Sequence, residues 1–336
     1  MVRIDQAPTS IAQTDDGRPQ YVAKFRQIDF DRHAQLHRLW VAGRPGGRPL
    51  RLMAHDLSGL DLSGLDLTDA DLSGCSLRRA RCQRTIFRRA SLRGVDFDDS
   101  DLGGADFERA DMRQIRLATV NFISIGEEQT RFREAMLSGS RFARASMQGV
   151  DFTGAVLTNA ILDGADIRGA VFVGADMAGA ELRGSMTASC DFRAATGISP
   201  AQRDQMERSG ARIARRINPT DPAFLRQLEA HRLWIDTDGA SGTQLQLEGC
   251  DLSNADFSGF LFAAARLQYC SFAFATLVGA VFAGADVTGA NFRGANLGRA
   301  DMRGVNIESA VMTRASTIGM LEGALPRGKL RKALEG

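Results

Sequence analysis

Histidine, cysteine and carboxylate side chains carry much of protein chemistry, and in this sequence their spacing shows no catalytic pattern. The histidines, which have no nucleophile in recognisable partnership, are His33, His37, His55 and His231. The cysteines, which lack the C-x-x-C spacing of a zinc or redox pair, are Cys75, Cys82, Cys190, Cys250 and Cys270. We therefore predict a non-enzymatic protein with no catalytic residues, no metal site and no cofactor.

Arginine is the other residue type whose clustering could bind a ligand, because its guanidinium group pairs with phosphate and carboxylate. One short stretch contains Arg78, Arg79, Arg81, Arg84, Arg88, Arg89 and Arg93. Alone, this stretch predicts a basic belt that binds phosphate. The whole chain gives no such signal, since 42 basic and 40 acidic residues leave a net charge of +2. What faces these arginines in the fold decides between a binding surface and internal ion pairs.

A period of five residues runs through most of the sequence. From 57 to 192, apolar residues recur every fifth position with only Glu127 and Thr187 as exceptions, and from 247 to 312 there is no exception. A small or modest side chain stands two positions before the large apolar residue of each unit. Two inward side chains separated by one outward side chain indicate a short strand.

Glycine marks the remaining two positions of each unit. Of the 35 glycines, 20 lie two residues after the large apolar residue, as Gly64 and Gly164 do. Glycine at a fixed position predicts a tight corner. Each unit is then one side and one corner of a coil around an apolar axis, and the stacked coils form a solenoid.

The units ADLSG, ADIRG, ADMAG and ANFRG resemble those of the pentapeptide repeat family. The resemblance implies an all-β solenoid in which four units make each coil of a right-handed quadrilateral β-helix. The two runs would then form two β-helices of about seven and about 3.5 coils. Family members include gyrase-protecting proteins that resemble DNA in shape and charge, secreted bacterial effectors and many proteins of unknown role.

Four units per coil place residues twenty apart above one another. Arg81 then falls between Asp61 and Asp101, and Arg131 between Asp111 and Asp151. Opposite charges in register predict ion-pair ladders. One set instead forms a like-charged column that could bind an anionic partner: Arg93, Arg113 and Arg133.

One unit breaks the period at Glu127, where a buried carboxylate would be costly. We predict that the segment from Ser124 to Thr130 bulges outward as a loop, either a partner-binding loop or a tolerated surface insertion. The candidate partner-binding residues in it are Ser124, Ile125, Gly126, Glu127, Glu128 and Gln129.

Helical sequence precedes both runs, and the chain is a duplication. Residues 36–63 align with 230–258, so that His37 matches His231 and Trp40 matches Trp234. These pairs could be binding sites. The alternative is that each helix is a structural cap whose Trp and His cover the open end of a solenoid.

The predicted organisation has six parts. They are a flexible N-terminal segment (1–29), a helical cap (30–51), the first β-helix (52–194), a helical linker and second cap (198–244), the second β-helix (245–316) and a C-terminal tail (317–336). No apolar run is long enough to span a membrane, so we expect no membrane association and a cytoplasmic location.

The predicted function is that of a bacterial protein-protein interaction or scaffold module with an unidentified protein partner. Alternatives are a DNA-mimic protein that binds DNA gyrase or topoisomerase, and a secreted effector whose signal is the N-terminus. Between 52 and 193, 21 acidic residues are largely matched by 17 basic ones, which disfavours a continuous DNA-like acidic face. We expect no direct nucleic-acid binding, and the sequence leaves a homodimer open.

Overall fold

A computed structural model describes residues 21, 23–122 and 129–325. Its helices are α1 (Gln27–Val41), α2 (Pro200–Arg208) and α3 (Pro222–Asp236), with a 3-10 helix at Ile307–Ser309. Its two-residue strands are β1 (Asp191–Phe192), β2 (Arg212–Ile213), β3 (Arg215–Arg216) and β4 (Cys250–Asp251). The parallel pairs are β1 with β2 and β3 with β4.

In most of the chain, single parallel β-bridges between backbone segments recur every five residues. Nearly all of these bridges join positions twenty residues apart, as Asp71 to Ser91 and Ser271 to Asn291. The first ladder of bridges runs from Arg51 to Met186 and the second from Gln246 to Leu321. The fold is a β-helix solenoid.

The inward direction of the predicted side chains is confirmed. Leu62, Phe97 and Phe282 are each 0% exposed. At the corners, Gly164 has a φ of +67°, and Arg79 adopts the same left-handed conformation with a φ of 56°. The corner therefore favours glycine but tolerates other residues.

The first ladder contains one coil of twenty-five residues, because Asp106 bridges to Arg131 and Asn121 to Ser146. Five extra residues are thus accommodated between Phe122 and Thr130. The predicted loop included Thr130, and this was wrong: Thr130 is 1% exposed and its hydroxyl donates to the Leu102 carbonyl at 2.9 Å. Thr130 fills the small inward position, while 124–128 lie outside the described residues.

The N-terminal end of the first ladder begins earlier than predicted. Lys24 bridges to Asp56, and α1 begins at Gln27 instead of residue 30. The Gln27 side-chain amide donates to the Asp61 carbonyl at 2.9 Å and accepts from the Asp61 N–H at 2.8 Å. Residues 23–29 therefore do not belong to a flexible segment. They hydrogen-bond to exposed strand edges of the first coil, and these contacts order them.

The second ladder has a related beginning. The segment predicted as a helical linker also holds β2 and β3, and the Ile217 N–H donates to the Asp251 carbonyl at 2.8 Å. At the other end, Leu321 still bridges to Asp301, so this ladder passes the predicted boundary at 316.

The chain divides into two compact units. Unit 1 contains residues up to 171 together with 176–190 and 197–211, and unit 2 contains 172–175, 191–196 and the chain from 212 onward. The first ladder lies in unit 1 and the second in unit 2. Each has its own apolar axis.

Candidate functional site

Five arginines of the predicted basic belt pair with carboxylates of a neighbouring coil: Arg78, Arg81, Arg88, Arg89 and Arg93. Arg78 lies 3.1 Å from Asp98 and 3.0 Å from Asp99, and Arg116 reaches Asp98 from the other side at 3.0 Å. Asp98 is only 5% exposed and also accepts from the Ala118 N–H at 2.8 Å. Charge-assisted hydrogen bonds of this kind order the wall and neutralise it.

The predicted column of Arg93, Arg113 and Arg133 was wrong, because Arg133 does not stack next to Arg113. Arg93 and Arg113 are in register, but the five extra residues place Ser138, and not Arg133, next to Arg113. Both arginines bind Asp111, with Arg93 at 3.0 Å. Burial alone would raise the pKa of Asp111, but hydrogen bonds from Arg113 and Arg93 outweigh it and lower the pKa to about 2.

The same register shift changes the neighbours of Arg131 and Arg133. Arg131 bridges to Asp106 and Asp151, so its predicted place beside Asp111 was wrong. Arg133 lies 3.7 Å from Asp151. Arg93 and Arg133 are therefore exposed cations and Arg113 is a half-buried one; each has an acidic neighbour, and the three lie in two different columns.

The predicted pair of Arg81 with Asp61 is confirmed by a direct contact, and Arg183 forms a similar pair with Asp163. Arg81 lies 2.7 Å from Asp61, and Arg183 lies 3.4 Å from Asp163. Both pairs are well exposed to solvent, and such pairs stabilise a protein by at most about 1 kcal/mol.

Of the candidate loop residues, only Gln129 belongs to the described chain. Its side chain lies over Gly149, where a side chain on the glycine would meet the Gln129 amide at 3.3 Å. Ser124, Ile125, Gly126, Glu127 and Glu128 lie outside the described residues.

The duplicated His and Trp residues occupy matching environments. His37 and His231 are fully buried, and their Nδ1 atoms accept the N–H groups of Leu50 at 3.0 Å and Leu245 at 3.1 Å. Each ring stacks on its tryptophan, Trp40 or Trp234. An acceptor Nδ1 requires a neutral imidazole, so neither ring carries a positive charge that would attract an anion.

The five cysteines are all buried and free of disulfides. Burial raises the pKa of the Cys75 thiol to about 12 and raises the pKa of Cys82 further. A thiol of such high pKa is a poor nucleophile and a poor metal ligand. In the described ranges, no group of His, Cys, Asp and Glu side chains is placed to hold a metal ion.

Sequence comparison accounts for this repeat. The family model for pentapeptide repeats matches eight copies, which cover 75–114, 128–185 and 246–316, half of the chain. The chain belongs to the pentapeptide repeat family. No protein with a curated description matches it.

Solved pentapeptide repeat structures resemble this chain at low identity. HetL from the cyanobacterium Nostoc sp. strain PCC 7120 is 20% identical over 84% of this chain and 93% of its own, with a TM-score of 0.17. A trypsin-treated variant of QnrB1, a plasmid-mediated fluoroquinolone resistance protein, is 15% identical over 57% and 94%, with a TM-score of 0.25. A protein from the Arabidopsis thaliana thylakoid lumen is 23% identical over 49% and 81%, with a TM-score of 0.18.

Two structurally important side chains were not predicted from the sequence. The amide of Gln27 replaces a strand at the edge of the first coil. In unit 2, Arg193 pairs with Asp191 at 2.7 Å and with Glu248 at 3.1 Å, and it stacks over Tyr269. No short motif marks either residue, because each is defined by partners distant in sequence.

No helix in the described part of the chain is long and apolar enough to cross a membrane.

Proposed function

We propose that this chain is a non-enzymatic interaction or scaffold module that binds a protein partner through its outward side chains. In this proposal two right-handed quadrilateral β-helices each begin at an α-helical cap, α1 with His37 and Trp40, and α3 with His231 and Trp234. The stacked rings and the Nδ1 hydrogen bonds support a structural role for these four residues. We propose a bacterial, cytoplasmic setting and leave a homodimer open.

The observation that carries the proposal is the five-residue insertion before Thr130. The ladder continues on both sides of it, with Asp106 bridged to Arg131 and Asn121 to Ser146. Because the bridges continue on both sides without these residues, we propose that the insertion serves to contact a partner. Gln129 and Arg133 flank the insertion and would extend the contact surface.

Deletion of residues 124–128 tests the proposal. This change joins Ile123 to Gln129 and restores a twenty-residue coil, so the solenoid should keep its thermal stability. A pull-down from the source cell should then lose the partner that the wild type retains. A matched variant, Glu127→Ala with Glu128→Ala, keeps the length and tests the side chains alone. Full partner retention by a folded deletion variant and by an Arg93→Ala, Arg113→Ala, Arg133→Ala variant would contradict the proposal.

The DNA-mimic alternative is disfavoured by the ion pairs. Asp98, Asp106 and Asp111 each accept from arginine, whereas a mimic needs unpaired acidic groups at the spacing of phosphates. A gyrase supercoiling assay with and without a quinolone separates the two functions. We expect neither inhibition nor protection. A translocation reporter fused to residues 1–30 tests the secreted-effector alternative, for which we expect no export.

A further inference from the structure

The first coil of the β-helix has four strand edges that need hydrogen-bond partners. Backbone at 23–25 pairs with Asp56, the Gln27 amide pairs with Asp61, and backbone at 50–52 pairs with Asp71. The fourth edge is Asp66. Its N–H and C=O make no hydrogen bond with any residue in the described ranges, although Leu65 and Leu67 on either side pair with Ile86 above.

The open edge at Asp66 lies in a cleft of about 560 Å³ between α1 and the first coil. Asp31, Ala34, Gln35 and Arg38 line it from the helix, and residues 64–67 line it from the coil. This volume falls within the range of ligand-binding clefts, about 300–1,000 Å³.

The charged groups that line the cleft differ in whether they already have a hydrogen-bond or ion-pair partner. The Asp31 carboxylate accepts from the Gln27 amide at 2.9 Å, and the Asp66 carboxylate accepts from the Thr68 N–H at 3.0 Å. Arg38 makes no ion pair with any described residue. The cleft therefore offers a cation to an acidic side chain.

The duplicated half of the chain has larger side chains at two matching positions of the cleft. The duplication places Leu228 at the position of Ala34, and Phe260 at the position of Leu65. Both larger residues pack against the core of unit 2. The first copy keeps smaller side chains at these positions, next to its unpaired edge.

We propose that this cleft binds an extended peptide segment of a partner protein that carries an acidic side chain. One peptide carbonyl accepts from the Asp66 N–H, and one peptide N–H donates to the Asp66 carbonyl. The Gln27 amide makes the same pair of bonds at Asp61, with distances of 2.8 and 2.9 Å. The acidic side chain of the peptide pairs with Arg38. This is strand addition at an open sheet edge.

The proposal deepens the proposed function by naming the chemistry of a partner, and it is tested with defined peptides. A display library of random twelve-residue peptides is selected on the full-length protein, and binders are measured by titration. Ala34→Leu and Leu65→Phe each introduce the larger residue of the second half, which should fill part of the cleft and weaken binding by about tenfold or more. Arg38→Ala should weaken acidic peptides several-fold, and Arg32→Ala, on the same helix outside the cleft, should leave binding unchanged. N-methylation of one peptide amide should abolish binding.

Amide hydrogen exchange at Asp66 distinguishes three possible occupants of this edge: a partner peptide, another segment of this chain and a second copy of the protein. We expect fast exchange in the free protein at every concentration and protection after peptide addition. Protection in the free monomer would assign the edge to another segment of this chain, and protection that grows with concentration would assign it to a second copy. Either result overturns the proposal, as does a selection whose binders are insensitive to all three cleft variants. The peptides need no cellular partner, so this failure is distinct from a failed pull-down with the 124–128 deletion.

Discussion

At the scale of single residues, the buried histidines connect each helix to the strand that follows it. Burial lowers the pKa of His37, while Asp66 and Asp69 oppose the shift, and burial likewise lowers the pKa of His231. Both Nδ1 atoms accept a backbone N–H and must be unprotonated to do so. Protonation would break the same contact in both halves of the chain.

This gives a pH dependence with a definite sign. Because folding lowers the pKa of His37, the unfolded chain binds the proton more tightly than the folded chain. The contribution of neutral His37 to the free energy of unfolding is therefore complete above the ordinary histidine pKa of about 6.5, and it is lost as the pH falls below that value. Urea unfolding at pH 7.5 and 5.5 should show lower stability at pH 5.5.

The variant His37→Leu separates this histidine from other groups. It leaves the buried Leu50 N–H without an acceptor, so we expect a loss of about 1–3 kcal/mol at pH 7.5. The fall in stability from pH 7.5 to 5.5 should be smaller than in the wild type. His231→Leu provides the matched test in the second half, and an unchanged pH dependence in both variants would contradict the assignment.

Several hydroxyl and thiol groups in the small inward positions donate to a carbonyl of the preceding coil. Thr85 and Ser140 donate to the carbonyls of Leu62 at 2.8 Å and Met112 at 2.9 Å, and the Cys190 thiol donates to Ile167 at 2.9 Å. These three polar groups find an acceptor in the preceding coil, so the core tolerates them, whereas the buried Ser100 hydroxyl has no hydrogen-bond partner among the described residues.

At the scale of elements, stacked phenylalanines form the axis of the first ladder. The rings of Phe87, Phe107, Phe132 and Phe152 follow one another at centroid distances of 5.0, 4.8 and 5.1 Å. The stack is continuous between Phe107 and Phe132, across the coil with five extra residues. The apolar axis therefore restores the register after the insertion.

Truncation at the centre of this stack should be costly. Phe132 is fully buried, so Phe132→Ala should lower the free energy of unfolding by about 3–5 kcal/mol through lost burial and a new cavity. Phe132→Leu retains part of the volume and should cost less. Urea denaturation of both variants measures the difference, and equal losses would argue against a cavity effect.

The length of the insertion should matter more than its composition. Deletion of 124–128 should leave the thermal midpoint within a few degrees of the wild type, because the inward positions keep their phase. Deletion of 124–127 removes one residue fewer and leaves the coil with twenty-one residues, so the inward side chains after it would turn outward. We expect this variant to unfold at a clearly lower temperature. Circular dichroism melting compares them, and equal midpoints would refute the register argument.

At the scale of the whole molecule, the chain is a duplication whose halves share their initiating contacts and differ in detail. Phe30 and Phe224 are buried at matching positions, and strand segments before each helix pair with Asp56 and Asp251. The edge at Asp61 is satisfied by Gln27, whereas Asp221 at the matching position is the N-cap of α3. The halves therefore diverged at their open edges.

Arg193 contacts three residues of unit 2 and stabilises their packing. Besides its pairs with Asp191 and Glu248, its guanidinium lies 3.9 Å from the centre of the Tyr269 ring. Arg193→Lys keeps the charge but loses the planar fork, and it should destabilise unit 2 by about 1–2 kcal/mol. Hydrogen exchange of amides near Tyr269 should rise in the variant. Unchanged exchange there would show that the contact contributes little.

The sequence alone determined the direction of side chains and the positions of corners. A five-residue period specifies which residues face inward, and Leu62 and Phe282 lie there. The caps of two helices are local features as well: Ser199 and Gln202 form the capping box of α2, and Asp221 caps α3. These features depend on neighbours within a few residues, which the sequence displays directly.

Only the tertiary structure decided which outward residues meet. Five extra residues moved Arg133 away from Arg113 and placed Arg131 beside Asp106. The Gln27 amide took the place of a strand at Asp61, while the edge at Asp66 stayed open. The physical reason is that stacking partners depend on the number of residues in each coil and on which side chain best satisfies an exposed backbone group. Both are properties of the assembled coils and not of any single unit.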